Sequence, residues 1–144
     1  MNKESVLLVR FSAVFAVIGA FLGSHMAGSG AYAFRPIHAH ILVVGWLTLF
    51  AWSVYYKVFQ VTASRLAKWH VWTAIIGSIG LTAGMYLNNL KPFNVPESFA
   101  VVFYIVGGSI LLISFVLFLI TTFFISSNAA VNPSFQNENK SKDA

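Results

Sequence analysis

The chain has no cysteine in its 144 residues. Disulfides, thiolate-bound metals and covalently attached c-type haem are excluded, and any metal would rest on imidazole, thioether, carboxylate or backbone ligands. Charge is almost as scarce: nine Lys and Arg with four Asp and Glu make 9% of the residues, against roughly 25% in a soluble domain. So few charges cannot cover a water-facing surface, which excludes a soluble globular protein. The net charge of +5 does not read as nucleic-acid binding. It forms no basic stripe, and the charges stand at the ends of apolar runs.

What is abundant is apolar sequence. Hydrophobic residues make up 58%, and the mean hydropathy is +0.76. Residues 11–34, 36–56, 69–90 and 98–137 contain no Asp, Glu, Lys or Arg. Each run is long enough for a membrane span, which takes about 20 apolar residues as helix. The pattern predicts one all-α domain over residues 1–125, an integral membrane bundle of four transmembrane helices at about 5–27, 36–56, 68–87 and 94–125. Residues 126–144, rich in Asn, Ser and Lys, read as a polar, disordered tail.

Local signals refine these spans. Gly19 and Gly23, continued by Ala27, form a small-residue stripe that lets membrane helices approach closely, and Gly77, Gly80 and Gly84 are spaced alike on the third helix. Pro36 suits a first helical turn, and Arg35 before it is steered away from helix. Asn88-Asn89 and Lys91-Pro92 break the third helix. Asn94 followed by Glu97 has capping-box spacing. Lys and Arg set the orientation: Lys3, Arg10, Lys57, Arg65, Lys68, Lys140 and Lys142 fall on one side and Arg35 and Lys91 on the other. The cation-rich side is the cytoplasmic one, so both termini are expected there. Ala31-Tyr32-Ala33 also resembles a signal-peptide cleavage site, but it stands far from the apolar centre of the first run. The run is read as a retained helix.

The four histidines carry the chemical information. His25, His38 and His40 fall at the outer ends of two consecutive antiparallel helices. His70 falls at the inner end of the third, roughly 25–30 Å away at 1.5 Å per residue. Ionisable side chains at membrane depth are functional candidates by default, and imidazole is the commonest metal ligand and a frequent axial ligand of haem. His38 and His40 point about 200° apart on an ideal helix, so only one faces any given slot. His38 shares its face with Ile41, Leu42 and Gly45, and Gly45 would let a flat macrocycle lie on the backbone. Arg35 stands where haem propionates would need a cation. Met26 is a soft ligand that could join His25, His38 and His40 around copper. The plain alternatives are that the outer histidines bond water or headgroups, that Met26 and Met85 fill the core, that Glu97 caps its helix, and that His70, between Trp69 and Trp72, belongs to an interfacial aromatic belt.

The segment Phe34-Arg35-Pro36-Ile37-His38-Ala39-His40-Ile41-Leu42-Val43-Val44-Gly45-Trp46 resembles the second transmembrane helix of the catalytic subunit of haem-copper oxidases, most closely the C-type oxidase and nitric oxide reductase branches. It also resembles small four-helix homologues of that subunit in bacteria. The resemblance implies a fold like the first helices of that subunit, a place in the bacterial cytoplasmic membrane, and His38 as an axial ligand of a low-spin haem b. Family catalytic subunits have about twelve helices and draw their remaining ligands from later ones. This chain has no His-Pro motif and no adjacent His pair, so one protomer cannot build an oxygen- or nitric-oxide-reducing centre. Three functions are carried forward. The first is a haem b protein of electron transfer or haem handling, its sixth ligand from His25, His40 or a neighbouring protomer. The second is copper binding, and the third a cofactor-free accessory or assembly subunit of a respiratory oxidase. Unspent glycine stripes on the first and third helices favour a homo-oligomer, and an oxidase or electron carrier is the expected partner.

Overall fold

The structure, a computed structural model, describes residues 3–30, 32–59, 61 and 64–125. The predicted tail 126–144 and Ala31 of the Ala31-Tyr32-Ala33 segment lie outside the described residues. The described chain is all-helical, and four of its helices are long and apolar enough to cross a membrane: α1 (Lys3–Ser29), α2 (Tyr32–Val58), α3 (Ser64–Leu90) and α4 (Glu97–Thr122). They run up and down. Ser5 bonds Ser53, His38 bonds Gly19, and a backbone bridge joins Val61 to Ile125. The start of α1, the α2–α3 loop and the end of α4 therefore share one end of the bundle, called proximal here. The turns after Ser29 and Leu90 form the distal end.

The molecule is apolar on its outside. Val17, Phe21, Leu112 and Leu119 expose 70%, 71%, 65% and 59% of their surface. The interior instead holds Ser5, Ser12, Ser53, His70, Ser78, Thr82, Ser114 and Thr121 among its buried side chains. Such a surface suits lipid contact, where helix association depends on close packing and polar contacts rather than on hydrophobic burial. One such contact is reciprocal: Ser5 Oγ donates to the Ser53 carbonyl at 2.9 Å, and Ser53 Oγ donates to the Ser5 carbonyl at 2.8 Å. Replacing both serines by alanine is expected to lower stability by about 1 kcal/mol, since interhelical hydrogen bonds in membranes average roughly 0.6 kcal/mol each. Unfolding by denaturing detergent in mixed micelles measures it.

The four spans fall where the charge-free runs place them, but three local features differ. First, α3 extends a turn at each end beyond 68–87. It runs through Asn88 and Asn89 and stops at Lys91, whose φ of 44° is left-handed. Secondly, the capping box is absent. α4 starts at Glu97 behind Pro96, with no side-chain cap, and Asn94 lies in a preceding 3-10 turn with φ 50°. Glu97 pairs instead with Lys91 at 3.3 Å, both side chains exposed, and lies in the first turn, where the helix dipole favours an anion. Thirdly, α2 is not uniformly α. A 3-10 turn, Tyr32–Phe34, leads into Arg35–His40, and Arg35 is helical despite Pro36. Ile41–Thr48 then winds as a π-helix before Leu49–Val58 resumes the α form. Thr48 Oγ1 bonds the Val43 carbonyl, five residues back, at 2.8 Å. π-turns are rare and concentrate at functional sites.

Both glycine stripes are consumed inside the protomer. On α1, Gly19 receives Leu42 and Ile41, and Gly23 receives the His38 ring. On α3, Gly77, Gly80 and Gly84 meet the backbone of α4 at Leu111, Gly107 and Tyr104. The stripes therefore give no argument for a homo-oligomer, and they are not a free surface for an accessory subunit.

Candidate functional site

The distal histidines sit on three different supports. The His38 ring packs into the gap at Gly23, where a Cβ would stand 3.0 Å from its Cε1, and its Nδ1 lies 3.0 Å from the Gly19 carbonyl. A carbonyl only accepts, so Nδ1 carries the proton and Nε2 keeps its lone pair. The ring is half-buried, and Nε2 is not among the buried unpartnered atoms, so that lone pair is reachable from outside the α1–α2 seam. By the same logic His40 Nδ1 donates to the Pro36 carbonyl at 2.8 Å and leaves its Nε2 bare. Pinning Nδ1–H on a backbone carbonyl is how metal-ligating histidines are usually oriented. His25 is exposed and meets the edge of Phe34 at 5.8 Å. Arg35 is exposed and stacks over Tyr32 at 4.0 Å.

The structure does not gather these residues into one cage. Among the described residues no three His, Cys, Asp or Glu side chains come together as a metal-holding group. Met26 is buried while its neighbour His25 is exposed, so the two face apart. Gly45 does share a face with His38 and Leu42, but that face is turned to α1 and the Phe15 ring covers it. The room expected there for a macrocycle is taken by a side chain. A cavity of about 480 Å³ does open between α1, α2 and α3, walled by residues such as Phe11, Ile18, Leu22, Ile37, Ile79 and Tyr86. No histidine is among its walls.

At the proximal end lies a second constellation. His70, assigned from its flanks to an interfacial belt, is completely buried, whereas Trp69 and Trp72 expose 68% and 54%. Its Nδ1 is 2.8 Å from the Tyr56 hydroxyl. The Thr121 hydroxyl donates to the Phe118 carbonyl at 2.7 Å. His70 Nε2 is buried without a hydrogen-bond partner among the described residues. Trp52 stands edge-on to the imidazole at 4.6 Å, with Phe118 at 5.5 Å and Tyr56 at 5.6 Å. Sequence reasoning passed over this group although a signal was present. His70 stands four and seven residues before Ala74 and Gly77, on the face that packs inward, while Trp69 and Trp72 fall on other faces.

The chain matches no family model, no curated protein and no solved structure.

Proposed function

We propose that this is a membrane protein that binds haem b through His38, with a role in electron transfer or haem handling. The supporting observation is the His38 anchor: Nδ1–H held on the Gly19 carbonyl at 3.0 Å, the ring seated at Gly23, and a reachable lone pair on Nε2. The fit of the group divides in two. The donor atom suits an axial ligand. The interior of one protomer does not suit the macrocycle, because Phe15 covers Gly45 and the large apolar cavity has no imidazole in its wall. The reading therefore places the haem against the outer edge of the α1–α2 seam, where a second copy or another membrane subunit closes the other side. When bound, haem iron supplies one-electron chemistry. The chain's own residues fix the imidazole tautomer, through Gly19, and offer Arg35 to the propionates. On the orientation given by Lys and Arg, with both termini cytoplasmic, this edge lies near the outer face of a bacterial cytoplasmic membrane.

The full chain, expressed with ample haem and purified in mild detergent, is expected to give the reduced-minus-oxidised spectrum of a b-type haem. His38→Ala is expected to lower haem content by at least about tenfold, the scale on which lost ligand support acts. Absence of haem in the parent protein, with copper found by elemental analysis or with no metal at all, would overturn the reading.

A further inference from the structure

Helices α1 and α3 run parallel, since both begin at the proximal end. Their seam opens there into a cavity of about 170 Å³, walled by Lys3, Glu4 and Leu7 of α1 and by Lys68, Val71 and Trp72 of α3. The wall is graded along the helix axes. Lys3, Glu4 and Lys68 stand at the rim, and Leu7, Val71 and Trp72 come about a turn deeper. Val71 is 2% exposed and Trp72 54%, so an apolar back stands beside an aromatic edge that opens sideways. Two arginines extend the same faces. Lys3, Leu7 and Arg10 follow one another at four and three residues, and Arg65, Lys68 and Trp72 at three and four.

The positive charge of this seam has little to balance it within the chain. Lys3, Arg10, Arg65 and Lys68 are all exposed. Of the four acidic residues, Glu97 is distal and pairs with Lys91, and Glu138 and Asp143 are matched in the tail by Lys140 and Lys142. Glu4 remains, and it also lines a neighbouring cavity with Tyr56. Among the described residues none of the four cations has a carboxylate at salt-bridge distance. Arg10 lies about 10 Å deeper than Lys3 at 1.5 Å per residue, and a cation at membrane depth calls for an anion within reach. The helix dipoles of α1 and α3 add their positive ends at the same place. Further in, the seam is apolar. Val14 and Ile79, each seven residues past Leu7 and Trp72, expose 56% and 45% and border the 480 Å³ cavity. Ile79 is about 16 Å along the helix from Lys68, close to half of the roughly 30 Å hydrocarbon core. The seam thus offers cations at the membrane boundary and an apolar track one leaflet deep.

We propose that the proximal α1–α3 seam is a binding site for an anionic phospholipid: its phosphate lies between Lys3 and Lys68, and an acyl chain lies on Trp72 and runs toward the 480 Å³ cavity. Basic pockets between membrane helices on the cytoplasmic side take such headgroups, and the distribution of Lys and Arg puts the proximal end on that side. The site is separate from the distal edge at His38 and does not depend on haem.

Fluorescence quenching in vesicles reads this directly. The full chain is reconstituted in phosphatidylcholine, and increasing fractions of either phosphatidylglycerol or phosphatidylcholine with brominated chains are added. Bromine quenches an indole that it touches, and the share of Trp72 is the difference between the parent protein and Trp72→Phe. Half-maximal quenching of that share is expected at a phosphatidylglycerol fraction about twentyfold below the phosphatidylcholine fraction, roughly fivefold coming from each lysine as a cation at an anionic surface. Lys3→Gln or Lys68→Gln alone is expected to lower the preference about fivefold, and the double variant to abolish it. Lys57→Gln, an equal loss of proximal charge on α2, is expected to keep it. The replaced lysines are exposed, so unchanged helical circular dichroism is expected throughout. Equal half-maximal fractions in the parent protein overturn the proposal. So does a preference that survives the double replacement, or one that falls as far in Lys57→Gln. Quenching of Trp72 by neither lipid would mean that protein covers the seam, and it overturns the proposal as well.

Discussion

Gly107→Leu is expected to unfold the α3–α4 half of the bundle, while Gly108→Ala, one residue on, leaves stability equal or improved. The two glycines are neighbours in sequence and opposites in surroundings. A Cβ at Gly107 would fall on the Gly80 carbonyl carbon and 2.5 Å from the Leu81 nitrogen, both backbone atoms. A Cβ at Gly108 meets only Leu81 Cδ1 at 3.5 Å, an ordinary contact. Backbone has no rotamer with which to yield, so the helices must separate. Separation at Gly107 also opens the contacts that Gly77 makes with Leu111 and Gly84 with Tyr104, because all three lie in one antiparallel register. Overpacking a core ordinarily costs about 1–3 kcal/mol. Here the added volume is a whole leucine against main chain, so roughly 3 kcal/mol or more is expected. Gly108→Ala has the opposite sign, since alanine in a helix interior is better than glycine by about 1 kcal/mol. Melting of both variants in detergent, followed by circular dichroism, decides it. Equal melting points for Gly107→Leu and the parent protein would mean that the two helices are not in backbone contact.

The outline of the fold was legible because charge is so sparse. Arg10, Arg35, Lys57, Lys68, Lys91 and Glu97 bracket the apolar runs, and each of the four helices takes up one run, although α1, α2 and α3 overrun the brackets at Arg10, at Arg35 and Lys57, and at Lys68. Boundaries were less legible where competing contacts decide them. Asn94 and Glu97 have the spacing of a cap, but Lys91 holds Glu97 and Pro96 supplies the first residue before α4. The π-helix at Ile41–Thr48 leaves no mark in a run of apolar residues, because its winding shows only in the backbone bonds. Glycine stripes show that something packs closely, not what. Those at Gly19 and Gly77 looked free for a partner and prove to be filled by α2 and α4.

The candidate site divides along the same line. His38 was recognisable as a chemical group at membrane depth, and its shared face with Leu42 and Gly45 is real. What the face meets could not be read, since Phe15 lies in another helix. His70 was judged by its immediate neighbours, Trp69 and Trp72, which point elsewhere. Its partner Tyr56 is fourteen residues away on a different helix.

Gly23→Leu is expected to remove bound haem as completely as His38→Ala, without touching any ligand atom. The imidazole occupies the space that glycine leaves: a Cβ at Gly23 would lie 3.0 Å from Cε1 and 3.7 Å from both ring nitrogens. A leucine there expels the ring from the seam and breaks its bond to the Gly19 carbonyl. The tautomer is then no longer fixed, and loss of such support weakens metal binding by about 10–100-fold. Gly28→Leu, on the same helix with nothing within 4 Å of its Cβ, is expected to keep haem and stability. The double variant Gly23→Leu/His38→Ala tests whether the stability lost in Gly23→Leu comes from the clash with the His38 ring. Removing the imidazole vacates the space that leucine needs, and leucine buries apolar surface worth about 1.5–3 kcal/mol. Its melting point should therefore recover most of what Gly23→Leu lost, while haem stays absent. Recovery of the fold would show that the leucine and the His38 ring compete for the same gap at Gly23. If instead Gly23→Leu retains haem at the parent level, the His38 anchor does not hold the cofactor.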